Sequence, residues 1–364
     1  MHEVTHGAWE VDESRYPTAG SIDEQLGFLI EYAVLAPSIY NTQPWRFEIQ
    51  SGAIELYADR SRALPVADPA GRELIISCGA ALFFLRLAAQ RFGLRAALTL
   101  LPATGAPAPL ARLQVTAAGA AESERPALFR ALTRRHTSRR LFAPRPLPPE
   151  LLAALSGDAA REGAWLRFAR DAAERAALTA LVEEGDRLQG ADERFRRELA
   201  AWIRPADAES REGIPSAALG LRDLAIDGDR LLTQTIDRGE VQAERDRQLL
   251  ESASALAVLG TGGDSARDWL LAGQALGRVL LAAAAEGLSA SFFNQPIELT
   301  PLRARLHARL GGAGYPQLLF RLGYAPESRP TPRRPAGEVT RRERPGGAPT
   351  DPGSSPARAA APAP

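Results

Sequence analysis

The first part of the chain has the pattern of an amphipathic helix followed by an alternating segment. Apolar residues recur at helical spacing over residues 22–34, and Pro37 ends the pattern. Ser21 and Glu24 have the spacing of a capping box at its start. Residues 45–50 (WRFEIQ) then alternate apolar and polar side chains, and the run IELYA follows the turn SGA. The pattern predicts one helix and one β-hairpin.

Two segments far apart in the chain share one pattern. GAALFFLRLAAQRFGL, from Gly79, and GQALGRVLLAAAAEGL, from Gly273, both read G-x-A-L, continue as an Ala/Leu-rich helix and end in Gly-Leu. A strand-like run follows each of them, LRAALTLL in the first case and LSASFF in the second. Matched helix–strand units predict an α+β chain built from two related halves.

Composition divides the chain further. A flexible N-terminus is expected over residues 1–18, a first half over 19–120 and a second half over 121–335. Within the second half, residues 204–250 are polar and of mixed charge, and a connection of this length is typical of a lid or a binding loop. Residues 336–364 are rich in Pro, Ala, Gly and Arg, which predicts a disordered tail.

The charge balance narrows the range of partners. The 364 residues include 44 basic and 44 acidic side chains, and a net charge of zero argues against a nucleic acid or a membrane surface as partner. No window reaches the apolar length needed to cross a bilayer, and the N-terminal stretch lacks a signal sequence, so a cytoplasmic location is expected. Every basic residue is Arg, which excludes Schiff-base and P-loop lysine chemistry.

Three motifs have competing explanations. HEVTH, His2–His6, has the H-E-x-x-H spacing of zincins, yet no third ligand is recognisable and His136 and His307 show no metal-ligand spacing. GTGGD, Gly260–Asp264, is either a phosphate-binding loop or, without a full G-x-G-x-x-G, a simple turn from strand to helix. Cys78 lies in LIISCGAALFFL and is expected to be a buried small side chain rather than a reactive thiol.

The basic cluster RRHTSRR offers candidate anion-binding groups. Arg135, Thr137 and Arg139 alternate, so in an extended chain their side chains point the same way. Two guanidinium groups around a hydroxyl suit a phosphate monoester, because Arg binds phosphate oxygens in a bidentate manner. A solvated basic surface explains the same residues, and from these residues alone both explanations stay open.

The chain resembles the nitroreductase family of FMN-dependent oxidoreductases over about residues 20–340. RRHTSRRLF is similar to the family's R-x-S/T-x-R segment, which implies that Arg135, Thr137 and Arg139 bind the flavin phosphate and ribityl chain. APSIYNTQPW matches the family's A-P-S-x-x-N-x-Q-P-W segment at every specified position. The cofactor-binding residues that this second match implies are Pro37, Ser38, Ile39 and Asn41.

Two further matches add site residues. PIE in FFNQPIELT resembles the family loop whose backbone N–H approaches flavin N5, and the basic residues after RLGY resemble the family's closing cations. The residues implied by these matches are Pro296, Ile297, Glu298, Arg333 and Arg334. Arg197, in RFRRELAAW, is either the cation near flavin N1 and O2 or a surface salt bridge to a neighbouring Glu, and both explanations stay open.

The distribution of these segments implies a fused dimer. The first half has the A-P-S-x-x-N-x-Q-P-W segment without an R-x-S-x-R, and the second half has the reverse. The resemblance therefore implies tandem nitroreductase-like halves that form an internal pseudo-dimer around one FMN, similar to twin-domain flavoproteins of the Acg type. Each half would have a mixed or antiparallel sheet flanked by helices, and the chain would be a monomer that acts as an intramolecular dimer.

The implied activity is hydride transfer from NAD(P)H, through FMN N5, to a small-molecule electron acceptor such as a nitroaromatic or a quinone. No side chain is needed as a catalytic group, because the flavin carries the chemistry. The long segment 204–250 leaves a second function open, namely an FMN-binding or FMN-sequestering protein with a closed lid and little turnover.

Overall fold

The described part of the protein contains two large β-sheets flanked by helices and one small two-stranded sheet. The computed structural model of the chain describes residues 7–103, 107–119, 126–204, 210–216, 237–326 and 330–342. The elements up to residue 118 are α1 (Ile22–Ala33), β1 (Trp45–Gln50), β2 (Ala53–Ala58), α2 (Arg72–Arg91), β3 (Leu94–Leu100) and β4 (Ala111–Ala118). This content confirms the predicted α+β class.

The second half begins with helices and a short strand, and its last described strand lies on the first sheet. Its elements up to residue 215 are α3 (Pro126–Ala131), α4 (Pro149–Arg161), β5 (Trp165–Phe168), α5 (Ala172–Ala191), α6 (Glu193–Trp202), β6 (Ile203–Arg204) and β7 (Ile214–Pro215). From residue 239 onward they are α7 (Gly239–Glu251), β8 (Ala255–Thr261), α8 (Ala266–Ala285), β9 (Ser289–Phe292), α9 (Gln295–Glu298), α10 (Thr300–Arg309), β10 (Tyr315–Gly323), α11 (Ala336–Val339) and β11 (Thr340–Arg342).

The first sheet is mixed and the second is antiparallel, as the prediction requires. The first has the order β11–β1–β2–β4–β3, with the predicted hairpin β1–β2 pairing Trp45 with Ala58 and β11 adding in parallel beside β1. The second has the order β5–β8–β10–β9, and each of its neighbouring pairs is antiparallel. Helix α1 starts at the predicted capping box, in which Ser21 and Glu24 bond to each other's backbone N–H.

The repeated G-x-A-L segments lie in α2 and α8, and these two helices pack against each other at their glycines. A Cβ atom at Gly79 would lie 2.5 Å from the carbonyl oxygen of Leu270, and one at Gly273 would lie 2.1 Å from that of Ile76. Only a hydrogen atom fits at either position. The two backbones therefore approach directly, and one apolar core runs through both halves.

Helix α2 is long and apolar enough to cross a bilayer by length and composition, with a mean hydropathy of 1.5 over 18 residues. The prediction that no window reaches this length is therefore wrong on those criteria alone. In the structure 89% of that window is buried inside the protein, so α2 is a central core helix. Cys78, within it, is fully buried as predicted and donates its thiol hydrogen to the Pro44 carbonyl.

The predicted flexible N-terminus is wrong for residues 7–18. Short 3₁₀ turns form at Gly7–Trp9 and Glu13–Arg15. The Trp9 side chain is only 7% exposed, and its indole N–H donates to the Thr331 carbonyl at 2.8 Å. One large apolar side chain thus fixes a segment whose polar composition suggests mobility.

The predicted disordered tail is wrong for residues 336–342, while residues 343–364 lie outside the described part. Helix α11 and strand β11 extend the first sheet, with Phe47 opposite Thr340, and Val339 is buried in the core. Composition does not predict this ordered structure, because the segment forms its backbone pairing with a strand almost 300 residues earlier in the chain.

The predicted lid over residues 204–250 falls partly outside the described residues. Residues 210–216 form an extended piece that contains β7, and the chain from Gly239 is helix α7, which packs along α5. The last part of this segment is therefore a regular helix rather than a loop. Segments 205–209 and 217–236 are not described, so the lid itself stays a prediction.

We expect Gly79→Ala and Gly273→Ala to lower the free energy of unfolding by about 1–3 kcal/mol each, because each added methyl group meets helix backbone that cannot move aside. Gly157→Ala is the matched control, since Gly157 is exposed within α4 and an added Cβ meets nothing within 4 Å. It should raise the stability by up to about 1 kcal/mol. Urea unfolding of the three variants measures this, and equal effects at all three positions would contradict the packing argument.

Candidate functional site

A cavity of about 370 Å³ lies where the two halves meet, within the size range of ligand-binding pockets. Eight of the sequence-predicted residues line it, and these are Pro37, Ser38, Ile39, Asn41, Thr137, Arg139, Glu298 and Arg333. Five others do not, and these are Arg135, Arg197, Pro296, Ile297 and Arg334. The loop after α1 and the second half thus contribute to the same cavity.

The loop after α1 has an unusual backbone conformation at its centre. Tyr40, Asn41 and Gln43 have φ values of 48°, 55° and 51°, in the left-handed region that favours glycine. Such conformations cost about 1–3 kcal/mol each and persist only where the surroundings enforce them. Here the Ser38 hydroxyl accepts from the Gln43 N–H at 2.9 Å and closes the loop on itself.

The amide side chains of this loop cross-link the two halves. Asn41 donates to the carbonyls of Gly213 and Pro332 at 3.1 and 3.0 Å, and its own oxygen accepts from Arg333 at 2.9 Å. Gln43 donates to the Arg211 carbonyl and accepts from the Arg334 backbone N–H. Asn41 therefore orients Arg333. Most of the hydrogen-bonding capacity of the Asn41 amide is used inside the protein.

The R-x-T-x-R segment consists of two structurally different parts, and Thr137 begins the second part. Thr137 forms a parallel bridge with Ala290, so the chain is extended there and Thr137 and Arg139 both line the cavity. Arg135 lies four residues after the end of α3, where its backbone N–H donates to the Ala131 carbonyl, and its side chain is buried but is not among those that line the cavity. Of the three residues of the motif, Thr137 and Arg139 are thus cavity-lining and Arg135 is not.

Arg135 and Arg333 form a buried pair of cations. They are 5% and 6% exposed, and the Nε atom of each has no hydrogen-bond partner among the described residues. Burial lowers the pKa of Arg135 to about 10, and burial together with the positive charge of Arg135 lowers the pKa of Arg333 well below its ordinary value. Within the described chain no carboxylate forms an ion pair with either guanidinium.

Neither Arg334 nor Arg197 lines the cavity. Arg334 lies 3.8 Å from the Glu338 carboxylate, so of the predicted closing pair only Arg333 reaches the cavity. Arg197 is 61% exposed and pairs with Glu193 one helical turn away. The salt-bridge explanation of Arg197 is therefore correct. Its neighbour Arg196 faces the cavity, because one residue along a helix turns the side chain by about 100°.

The PIE segment is the short helix α9, and only its glutamate reaches the cavity. Pro296 is buried, and Ile297 packs in a second apolar cluster of the second half. Burial, followed by the nearby Glu73 carboxylate, raises the pKa of Glu298 well above its ordinary value. The Glu298 carboxylate accepts from the Gln189 amide.

Glu73 joins this acidic end of the cavity from the first half. It is 4% exposed at the start of α2, where it pairs with Arg72 at 2.8 Å and accepts from Asn294 at 3.0 Å. Burial is the main cause that raises its pKa to about 7, against the opposing charge of Arg72. The site therefore holds buried carboxyls from both halves.

A second pair of buried carboxyls lies farther along the cavity. The Gln295 amide donates to Asp186 at 2.8 Å and to Asp246 at 3.0 Å, so one side chain bridges both acids. Burial, and then the neighbouring Asp246, raises the pKa of Asp186 to about 8, while burial raises that of Asp246 to about 6. Near neutral pH the pair therefore holds about one proton, because two ionised carboxylates this close repel each other.

The glycine-rich motif does not line the cavity. Gly260–Asp264 is the turn between β8 and α8, where Ser265 caps the helix and Asp264 pairs with Arg303 at 2.7 Å. The simple-turn explanation is therefore correct. The zincin-like segment His2–His6 lies outside the described residues.

Comparison with known proteins identifies the family. No family model matches the chain. The Mycobacterium tuberculosis protein named "Putative NAD(P)H nitroreductase Rv3131" is 32% identical over 322 residues, which cover 87% of this chain and 91% of that protein. "Putative NAD(P)H nitroreductase acg" from the same organism is 30% identical over 321 residues, or 85% of this chain and 93% of the relative.

The chain belongs to the NAD(P)H nitroreductase family. Among solved structures, the FMN-dependent nitroreductase NfnB from Mycobacterium smegmatis in complex with NADPH is 18% identical, with a TM-score of 0.39, and the match covers 60% of this chain and 99% of that one. A nitroreductase-like protein from Bacillus cereus is 15% identical, with a TM-score of 0.35, and covers 58% of this chain and 92% of its own. The family assignment comes from the sequence relatives.

Several site residues of this nitroreductase-family chain are not found by sequence reasoning. Glu73 and Arg321 carry a signal, because each is a charged residue in an otherwise apolar run, RELIISCGAALFFL and QLLFRLG respectively. No sequence signal marks Trp9, Asp186 or Asp246, because the residues that they contact lie far away in the chain.

The Asp186–Asp246 pair predicts a specific pH dependence of stability. With its pKa raised from 3.8 to about 8, Asp186 binds a proton in the folded state that it loses in the unfolded state between these values. Its contribution to stability is therefore present at low pH and is lost as the pH rises toward 8. Asp186→Asn should remove this loss and exceed the wild type by about 1 kcal/mol or more at pH 8, but not at pH 4. Urea unfolding at both pH values measures it, with exposed Glu10→Gln as the control that keeps the wild-type slope.

Proposed function

We propose that this chain is an FMN-dependent NAD(P)H oxidoreductase of the nitroreductase type, which passes hydride to a small nitroaromatic or quinone-like acceptor. Family membership supports the reaction class. The cavity between the halves supports a single cofactor site per chain, because residues of both halves line it. On this proposal the chain is a monomer that acts as an intramolecular dimer.

The buried cation pair is the observation that carries the proposal. Two guanidinium groups with no carboxylate partner in the described chain are costly to bury, and an anion placed between them offsets that cost. A phosphate monoester supplies several oxygens and about two negative charges. The unpartnered Nε atom of Arg333, which lines the cavity, fits such a group, and the charge of the neighbouring Arg135 adds to the attraction.

The remaining cavity residues fit the other parts of the cofactor. Thr137 and Arg139 line the same cavity as Arg333 and would bind the phosphate or the ribityl chain. Pro37, Ser38 and Ile39 would contact the ring system from the first half. Bound FMN supplies the hydride chemistry, and the protein binds and orients it.

The acidic end of the cavity would tune the reaction electrostatically. Burial raises the pKa of Glu73 to about 7, so this carboxyl is partly protonated near neutral pH, and burial raises the pKa of Glu298 as well. A protonated carboxyl can donate a hydrogen bond or a proton to an acceptor oxygen without adding negative charge to the site. Tyr40, also on the cavity wall, lies within electrostatic reach of both acids.

A second function has one observation in its favour. Gly213, Ile214 and Val241, all from the 204–250 segment, line the cavity. This segment therefore forms part of the wall, as expected for an FMN-binding or FMN-sequestering protein whose closed site turns over slowly.

Turnover distinguishes the two functions. We expect the FMN-loaded protein to oxidise NADPH or NADH at about 1 s⁻¹ or faster when menadione or nitrofurazone is supplied. The measurement is the loss of nicotinamide absorbance at steady state, with FMN alone at the same concentration as the blank. A protein that retains FMN yet oxidises neither nicotinamide would favour the sequestering function.

Arg333→Gln should weaken FMN binding about tenfold to a hundredfold, because it removes a charge-assisted bond of about 1.5–3 kcal/mol to the phosphate. Arg135→Gln should weaken it less, because Arg135 does not line the cavity and acts on the phosphate through its charge. Arg134→Gln is the matched control, since Arg134 is exposed and, among the described residues, its side chain bonds to the Arg130 carbonyl alone. Fluorescence titration of the apoprotein with FMN gives the dissociation constants, and thermal unfolding checks the fold. Wild-type affinity in both buried-site variants would contradict the phosphate assignment.

A further inference from the structure

The Trp9 ring lies against both cations of the buried pair. The guanidinium carbon of Arg333 is 4.8 Å from the ring centroid, and that of Arg135 is 5.9 Å away. Both distances are within the range in which a cation is attracted to an aromatic face, an attraction of about 2 kcal/mol when the groups are desolvated. One indole ring therefore contacts two guanidinium groups, and these belong to segments almost 200 residues apart.

Trp9 is itself fixed from two sides. Its indole N–H donates to the Thr331 carbonyl at 2.8 Å, which ties it to the segment that carries Arg333. The ring of His136 meets it edge-on at 4.5 Å, which ties it to the segment that carries Arg135. With 7% exposure, Trp9 also excludes water from this side of the pair.

An aromatic neighbour has a different consequence from an acidic one. A carboxylate at this position would pair with the guanidinium groups, cancel one positive charge and compete with any anionic ligand. The quadrupole of an indole attracts both cations without neutralising either. The described residues around the pair are otherwise neutral acceptors, since Arg333 donates to the Asn41 amide and the Thr331 hydroxyl, and Arg135 to the Leu35 carbonyl. The two positive charges thus remain available to a ligand.

We propose that Trp9 is a positioning residue of the phosphate site, whose ring holds Arg135 and Arg333 side by side so that the site selects a phosphorylated ligand over the same ligand without its phosphate. The identity of that ligand rests on the proposed function, so the relevant comparison is FMN against riboflavin. Trp9 lies in the N-terminal segment, outside every motif by which the chain resembles the nitroreductase family.

The test compares FMN and riboflavin affinities of apoprotein carrying Trp9→Phe or Trp9→Leu. Both variants lose the indole N–H and keep an apolar side chain, so they differ in the aromatic face. We expect Trp9→Leu to weaken FMN binding about tenfold and leave riboflavin binding unchanged, and Trp9→Phe to retain most of the preference for FMN. Affinities for both flavins that fall by the same factor would mean a structural role only and would overturn the proposal, as would an unchanged preference in Trp9→Leu.

A measurement that does not depend on the leucine variant covers the case in which it fails to fold. Inorganic phosphate titrated into wild-type apoprotein should change the tryptophan fluorescence, and Trp9→Phe should lack this change. An equal change in Trp9→Phe would overturn the proposal, because the signal would then come from another tryptophan. A wild-type protein that binds neither flavin contradicts the proposed function, whereas one that prefers FMN independently of Trp9 contradicts this inference alone.

Discussion

The direct approach of α2 and α8 at Gly79 and Gly273 is the constraint on which the rest of the structure depends. A Cβ at Gly273 would lie 2.7 Å from the Gly79 Cα, so the backbones are as close as two helices allow. Each helix also carries its half's sheet, because Gly93 and Gly287, both at φ 75°, turn the chain directly into β3 and β9. Fixing one helix against the other therefore fixes the two halves.

This packing brings groups to the cavity that neither half could hold alone. Glu73, at the start of α2, bonds to Asn294 of the second half, and the loop after α1 bonds to residues 211–213 and 332–334 through Asn41 and Gln43. These hydrogen bonds offset the strain of the left-handed backbone, since several neutral hydrogen bonds of about 1 kcal/mol each are needed to hold three strained residues. The dense run of amides beside Trp45 is thus explained by cross-linking, in addition to lining the cavity.

Sequence reasoning finds what depends on local or repeated patterns. The capping box at Ser21, the hairpin from Trp45 and the paired glycines at residues 79 and 273 are readable, because their signals lie within a few residues or recur at equal spacing. The family motifs place eight of thirteen predicted site residues on the cavity wall. For Arg197 the sequence left two explanations open, because a helix pattern does not show which of two adjacent arginines faces inward, and in the structure Arg197 pairs with Glu193 while Arg196 lines the cavity.

What sequence reasoning misses depends on contacts between distant segments. Arg321 illustrates this, because it is fully buried and donates to the carbonyls of Ser138 and Arg140 and to the Ser252 hydroxyl. It therefore fixes the backbone on either side of Arg139 from a strand 180 residues later. No local pattern encodes such a contact, and only the unusual charge inside an apolar strand indicates that one exists.

The buried cations and the buried carboxyls of the site are stabilised in opposite ways. Arg135 and Arg333 stay charged because guanidinium groups lose their proton only at high pH. An aromatic ring and neutral oxygens stabilise these charges in the protein interior. Carboxyls can instead take up protons, and burial raises the pKa of Glu73 to about 7 and that of Asp186 to about 8, so near neutral pH both carry less than a full negative charge. Burial raises the pKa of Glu298 in the same direction. The buried cations therefore keep their charge, whereas the buried acids lower theirs by binding protons.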